Sequence, residues 1–170
     1  MEVMDAILKR RSIRDFLEKP IEKEKLQGVL EAGRQAPSAS NQQPWRIVVV
    51  TNPETRKKLA KAARDQEFVG KAPVVLVGCA LKTDKVMACG QHAYPIDLAI
   101  CMTTMSLAAV GEGLGTCWIG AFSEDHVKQI LGIPKDVRVV ELMPLGYPAS
   151  QPDARPRKPM SEFAVMEKWS

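Results

Sequence analysis

APVVLVGCAL, residues 72–81, is an apolar run without a charged side chain. A run this short and this rich in valine reads as a β-strand covered on both faces, because a half-buried strand would alternate apolar with polar residues. Upstream, RIVVV at residues 46–50 follows its arginine with an unbroken β-branched run and reads the same way. Two core strands imply layers of helix above and below them, and the segments around the strands supply those helices.

Between the two strands, Asn52 and Pro53 open a charged helix that ends near Arg64. Asparagine suits the N-cap and proline the first helical position. Ahead of the first strand, PSASNQQPW at residues 37–45 is dense in turn formers. It is pinned between the sheet and a helix over residues 22–36, whose stripe is Leu26, Val29, Leu30 and Gly33 and whose end is set by Pro37. Val3, Ile7 and Leu8 predict a first short helix over residues 3–10. The basic stretch KRRSIRDF, residues 9–16, follows it directly. A cation at a helix C-terminus compensates the dipole, which accounts for Lys9, but the arginines around Ser12 also form a phosphate-compatible cluster.

Downstream, IDLAICMTTMSLAAV at residues 96–110 is apolar almost all round, so the helix from Pro95 to about Val110 is expected to be buried on several sides. In a chain of this size that burial is easiest if a second copy covers one side, and a homodimer is expected. GEGLGTCWIGAF, residues 111–122, opens on three closely spaced glycines and continues into a short apolar strand. SEDHVKQILG has Ser123 as N-cap and Gly132 as stop, and VRVVELMPLGYP, residues 137–148, reads as a last strand. The proline-rich tail from Ala149, which carries Arg155, Arg157 and Lys158, reads as an extended arm.

Composition limits the function classes. The 170 residues fit a single domain, read as 1–170, and 45% hydrophobic with 26% charged residues argues against disorder. A net charge of +4 with 5% aromatic residues gives no one-signed field or stacking platform for nucleic acid, so no nucleic-acid partner is expected. The acidic start is unlike a secretory leader and no stretch reaches the roughly eighteen apolar residues of a membrane span, so the chain reads as cytoplasmic and without a membrane partner. Of Cys79, Cys89, Cys101 and Cys117, all but Cys89 lie in apolar runs and read as buried small hydrophobes. Cys89 and His92 lack further ligands, so no metal is expected. There is no G-x-S-x-G or P-loop, and the G-x-G at Gly113 and Gly115 follows a helix instead of opening one.

R-R-S-I-R-D-F near the start, A-P-S-A-S-N-Q-Q-P-W, the Asp97 helix leading to G-L-G-T-C-W-I-G-A-F, then L-G-Y-P and R-P-R-K-P together resemble the FMN-dependent nitroreductase family. The match runs in order from about residue 7 to residue 159. It implies an α+β fold, a three-layer α/β/α arrangement with a central mixed or antiparallel sheet and an extended C-terminal arm. The likeness also implies an enzyme that holds FMN at the interface of a homodimer, takes reducing equivalents from NAD(P)H at flavin N5, and passes them in a ping-pong scheme to nitro compounds, quinones or similar small acceptors.

Carried over by position, Arg10 and Ser12 would hold the FMN phosphate with Arg155 and Arg157, and Arg11 would contribute nearby. Arg14 would reach the pyrimidine edge of the flavin. Pro37, Ser38, Ala39 and Ser40 would line it from the other subunit, with Asn41 and Gln43 holding that loop or touching the ring. Backbone amides of Ile119 and Gly120 would face N5 and O4. No catalytic acid or base is assigned, and His92 and His126 read as structural or surface residues. The segment from Thr83 to Tyr94 reads as a lid. The same cofactor residues would serve reductive dehalogenation, flavin cleavage or a flavin store without turnover, and these alternatives stay open.

Overall fold

A computed structural model describes residues 1–169. Its core is a four-stranded antiparallel sheet in the order β1-β2-β4-β3, formed by Trp45–Val50, Val74–Ala80, Arg138–Gly146 and Gly115–Thr116 respectively. Every residue of β2 is buried, as its unbroken apolar run requires. Val75, Val77 and Cys79 face one layer, built from α3 (Pro53–Ala62), α4 (Glu67–Lys71) and α6 (Glu124–Leu131). Val74, Leu76 and Ala80 face the other, where α2 (Lys23–Arg34) and α5 (Ala93–Gly111) pack. Period-two alternation in a strand thus divides the core into two halves.

Helix ends follow the side chains at them. Asn52 accepts from the Thr55 amide at 3.0 Å, Ser123 accepts from the His126 amide, and Gly132 ends α6 with φ +65°. At the start of α2, Glu22 accepts from the Tyr147 hydroxyl, while Lys19 and Lys25 lie 4.0 and 5.1 Å from the Tyr147 ring centre. That cluster fastens the L-G-Y-P end of β4 to the helical layer. Gly33 lets α2 and α5 approach closely, since a Cβ there would stand 2.6 Å from Met105 Cγ.

Three expectations change. RIVVV forms β1, but β1 is an edge strand, with Arg46 and Val49 exposed rather than covered on both faces. Branched apolar residues favour extended backbone, and they do not decide which strand sits in the middle. Helix α5 buries one face, Leu98, Cys101, Met102, Met105 and Ala109, and leaves Ile96 (42%) and Ile100 (36%) exposed, so in one chain it is not buried on several sides. It is also long and apolar enough to cross a membrane by length and composition, contrary to the reading that no stretch is. The short helix α4 had no sequence signal strong enough to set it apart from the end of α3. The tail over residues 149–169 is exposed throughout, including its one helical turn, α7 (Met160–Phe163), and reads as the expected arm.

Candidate functional site

The first helix, α1 (Val3–Lys9), stops where Arg11 turns back: its guanidinium donates to the carbonyls of Leu8 at 2.6 Å and Arg10 at 2.9 Å. This satisfies carbonyls that a helix C-terminus leaves open. Arg11 is therefore committed to the helix end, not directed outward with its neighbours. From Arg10 the chain runs extended along the β3 edge. Ser12 bridges Thr116 in parallel, the Ile13 amide donates to the Thr116 carbonyl at 2.8 Å, and Ile13 and Phe16 are buried.

In extended backbone alternate residues share a side, so Arg10, Ser12 and Arg14 fall together opposite Ile13. Cys117 registers all three. Burial pushes its thiol above the ordinary range, while the Arg14 guanidinium, the Ser12 hydroxyl and the Arg10 guanidinium oppose that rise. Two guanidinium forks and a hydroxyl on one face are a donor set that fits a phosphate dianion. Arg14 also lies 5.9 Å above the Phe68 ring, which keeps its planar group beside an aromatic surface.

The contact between this segment and β3 is close. A Cβ on Gly115 would lie 2.4 Å from Ile13 Cγ1 and 3.0 Å from Pro148 Cγ. Neither neighbour is a flexible chain end, so Gly115→Ala is expected to cost about 1 to 3 kcal/mol and to displace Ile13 between Ser12 and Arg14. Chemical denaturation together with FMN titration checks this; an unchanged unfolding midpoint would show that the segment gives way freely.

The arm passes the same place. The Ala149 amide donates to the Asp15 carbonyl at 3.0 Å, Ser150 Oγ donates to Asp15 Oδ2 at 3.3 Å, and Gln151 Nε2 donates to the Lys9 carbonyl at 3.2 Å. Arg155 and Arg157 follow within a few residues and are exposed. The start of the arm is thus fastened beside the N-terminal basic segment, and Arg155 and Arg157 lie farther along it.

Beyond β3, Trp118 is exposed and Ile119 is buried. The Ile119 amide donates to the Leu142 carbonyl at 2.9 Å, and Leu142 donates back at 3.1 Å. An amide held in a strand pair is not free for a ligand, which removes Ile119 N–H from the expected contacts. Gly120 is exposed with open space on its Cα.

The loop of Pro37, Ser38, Ala39, Ser40, Asn41 and Gln43 stands elsewhere. It leads into β1 at the end of the sheet where Trp45 pairs with Ala80, whereas Ser12 lies beside Thr116, near where β3 pairs with the far end of β4. Three strand spacings of about 4.8 Å each separate the two edges. One chain therefore does not bring its loop onto its own arginines.

Other polar groups were not legible as site residues. Asp97 is 3% exposed and accepts the Ala39 amide at 2.9 Å, a role hinted at only by its being the one charged residue in IDLAICMTTMSLAAV. Glu141 is fully buried in β4 with no hydrogen-bond partner on either oxygen. Burial pushes the Cys79 and Cys101 thiols up to about 11, which makes them the inert core residues expected of them. His126 is exposed, and His92 Nδ1 lies 3.2 Å from the Thr83 carbonyl. Among the described residues no group of three or more metal-ligating side chains occurs.

With this geometry in hand, comparison with known proteins is informative. The family model described as the nitroreductase family matches residues 7–68 and 63–147. A Thermus thermophilus protein named NADH dehydrogenase is 33% identical over 97% of this chain and 96% of its own length. A Bacillus subtilis FMN reductase [NAD(P)H] is 30% identical over 99% of this chain and 74% of its own. The crystal structure of the NADPH:FMN oxidoreductase from Vibrio harveyi, complexed with NAD+, superposes with a TM-score of 0.90 at 31% identity, covering 99% of this chain and 78% of that one.

Proposed function

Because this chain belongs to the nitroreductase family, we propose that its two separated halves of a site act together in a homodimer. The chain is an NAD(P)H-dependent oxidoreductase with FMN as its cofactor. When bound, FMN supplies the redox chemistry between NAD(P)H and a small acceptor of the nitro or quinone class. The protein's own residues bind, orient and tune it.

Arg10 and Ser12 hold the phosphate by charge-assisted hydrogen bonds, with Arg155 and Arg157 arriving on the arm. Arg14, on the same face, places a fixed cation at the pyrimidine edge, where negative charge grows on reduction, and so favours the reduced state. Gly120 N–H is the remaining donor for the ring's polar edge. The loop from Pro37 to Gln43 lines the ring from the partner copy, and the surface needed for such a partner is present. Ile96 and Ile100 on α5 and Met4, Ile7 and Leu8 on α1 expose apolar side chains. Scarcity of acid–base groups fits a site that supplies stacking room and electrostatics, with protons drawn from water.

The observation that carries this reading is the placement of Arg10, Ser12 and Arg14 on one face at the β3 edge, with the loop at the β1 edge. Mixed dimers test it. Arg10→Ala and Ser40→Trp homodimers are each expected to lose flavin, the second because the indole fills the space against the ring. Co-refolded heterodimers would contain one site with both halves intact and are expected to regain about one FMN per dimer. Heterodimers that stay colourless would place loop and arginines in the same chain's site and overturn the proposal.

A further inference from the structure

The loop at residues 37–43 is held in a shape it would not adopt alone. Ser40, Asn41 and Gln43 have φ of 54°, 52° and 47°, in the left-handed region that L-residues avoid. Inside the loop, the Gln43 amide donates to Ser38 Oγ at 2.9 Å and Gln43 Nε2 donates to Asn41 Oδ1 at 3.1 Å. Those bonds shape it without anchoring it.

Anchoring comes from two sides. On one, the Ala39 amide donates to Asp97 Oδ1 at 2.9 Å. Asp97 lies in the first turns of α5, on the same buried face as Leu98 and Cys101, and its Oδ2 is buried without a partner. An apolar residue would suit that packing position better, so the carboxylate is explained by what it holds. On the other side, Lys85 Nζ donates to Ser40 Oγ at 2.9 Å and to the Ala39 carbonyl at 3.3 Å.

Lys85 belongs to a small hairpin. Val86 bridges His92, the Met87 amide donates to the Gln91 carbonyl at 2.8 Å, and the tip turns at Gly90 with φ +85°. The Lys85 carbonyl in turn accepts from the Ala93 amide at 3.0 Å, at the first residue of α5. One residue thus joins the hairpin, the start of α5 and the loop.

Resting on the reading that this loop lines FMN, we infer that Asp97 and Lys85 are positioning residues: Asp97 sets the loop's height over the ring, and Lys85 makes the hairpin of residues 85–93 and the loop one mechanical unit. The hairpin is then a wall of the acceptor pocket whose position is tied to the cofactor-lining backbone. An acceptor that presses on the hairpin acts on the loop as well.

The test begins on FMN-free protein, by hydrogen exchange at the Ala39 amide in Asp97→Ala, Asp97→Asn and Lys85→Ala, followed by FMN titration and acceptor kinetics on the loaded dimers. Asp97→Ala is expected to speed exchange at Ala39 at least tenfold and to weaken FMN binding about tenfold. Asp97→Asn keeps an oxygen acceptor and is expected to restore most of both. Lys85→Ala, at a half-buried position at the base of the hairpin, is expected to raise acceptor KM several-fold. Unchanged exchange in Asp97→Ala overturns the clamp. Faster exchange with unchanged FMN affinity and unchanged acceptor KM makes it a structural bond only and overturns the positioning role. Parent protein that binds no FMN would instead remove the cofactor reading, while the exchange data still judge the clamp.

Discussion

Between pH 5 and pH 8 the isolated chain is expected to lose about 3 to 4 kcal/mol of unfolding free energy through Glu141 alone, and Glu141→Met is expected to abolish that loss. The side chain is fully buried on the central strand β4, opposite Gly78, which Leu98 and Met102 of α5 approach closely. Burial pushes its carboxyl from 4.5 to about 9, with no charged neighbour contributing. Folded protein therefore keeps the proton at pH values where the unfolded chain has released it. A raised pKa stabilises fully below about 4.5, and the advantage falls with rising pH until about 9, at roughly 1.4 kcal/mol per pH unit.

Methionine fills the same space without a polar group, so the variant's stability should not fall along that slope and should exceed the parent's most at alkaline pH. Urea unfolding of both proteins at pH 5, 7 and 8 measures this directly. Parallel stability profiles for parent and variant would mean that water or a partner reaches Glu141 and that its burial is overstated.

Arg10→Ala should weaken FMN binding by a factor of about 10 to 150, the equivalent of losing one charge-assisted hydrogen bond to phosphate, roughly 1.5 to 3 kcal/mol. Arg10 is half-buried at the end of α1, already aligned with Ser12 and Arg14, so little ordering remains to oppose the bond. Arg157→Ala should act in the same direction but less strongly, because Arg157 lies on an exposed arm that must first be ordered. Fluorescence titration with FMN at two salt concentrations resolves both effects; the Arg10 effect should shrink at the higher salt as the charges are screened. Full flavin content in both variants would remove the phosphate assignment while leaving the fold and the family untouched.

Much of the fold was legible because single local rules acted without competition. The valine run of β2, the Asn52 and Ser123 caps, the Gly132 stop and Pro37 each have one physical consequence, and each appears where expected. The arginines around Ser12 were legible as a phosphate-compatible cluster, whereas their alternation along extended backbone beside Thr116 came from the tertiary structure. The commitments of Arg11 and Ile119 were not legible, because they depend on which carbonyls stand nearby: Leu8 and Arg10 for one, Leu142 for the other. Glu141 was hidden within a strand that reads correctly as VRVVELMPLG. Its burial follows from β4 lying between two covered layers, and from an irregularity at Gly78/Cys79 that leaves Val140 without a partner in the register.

By itself, then, the sequence determined which segments become strands and helices, where they stop, and which residue types could hold a phosphate. Only tertiary structure decided that β1 is an edge strand, that α5 keeps an open apolar face, that Asp97 and Lys85 grip the loop, and that loop and arginines stand at opposite edges. The physical reason is range: caps, turns and periodicity act over a few residues along the chain, whereas burial rank, strand order and side-chain partners are set by segments as far apart as Ala39 and Asp97, or Asp15 and Ser150, meeting in space.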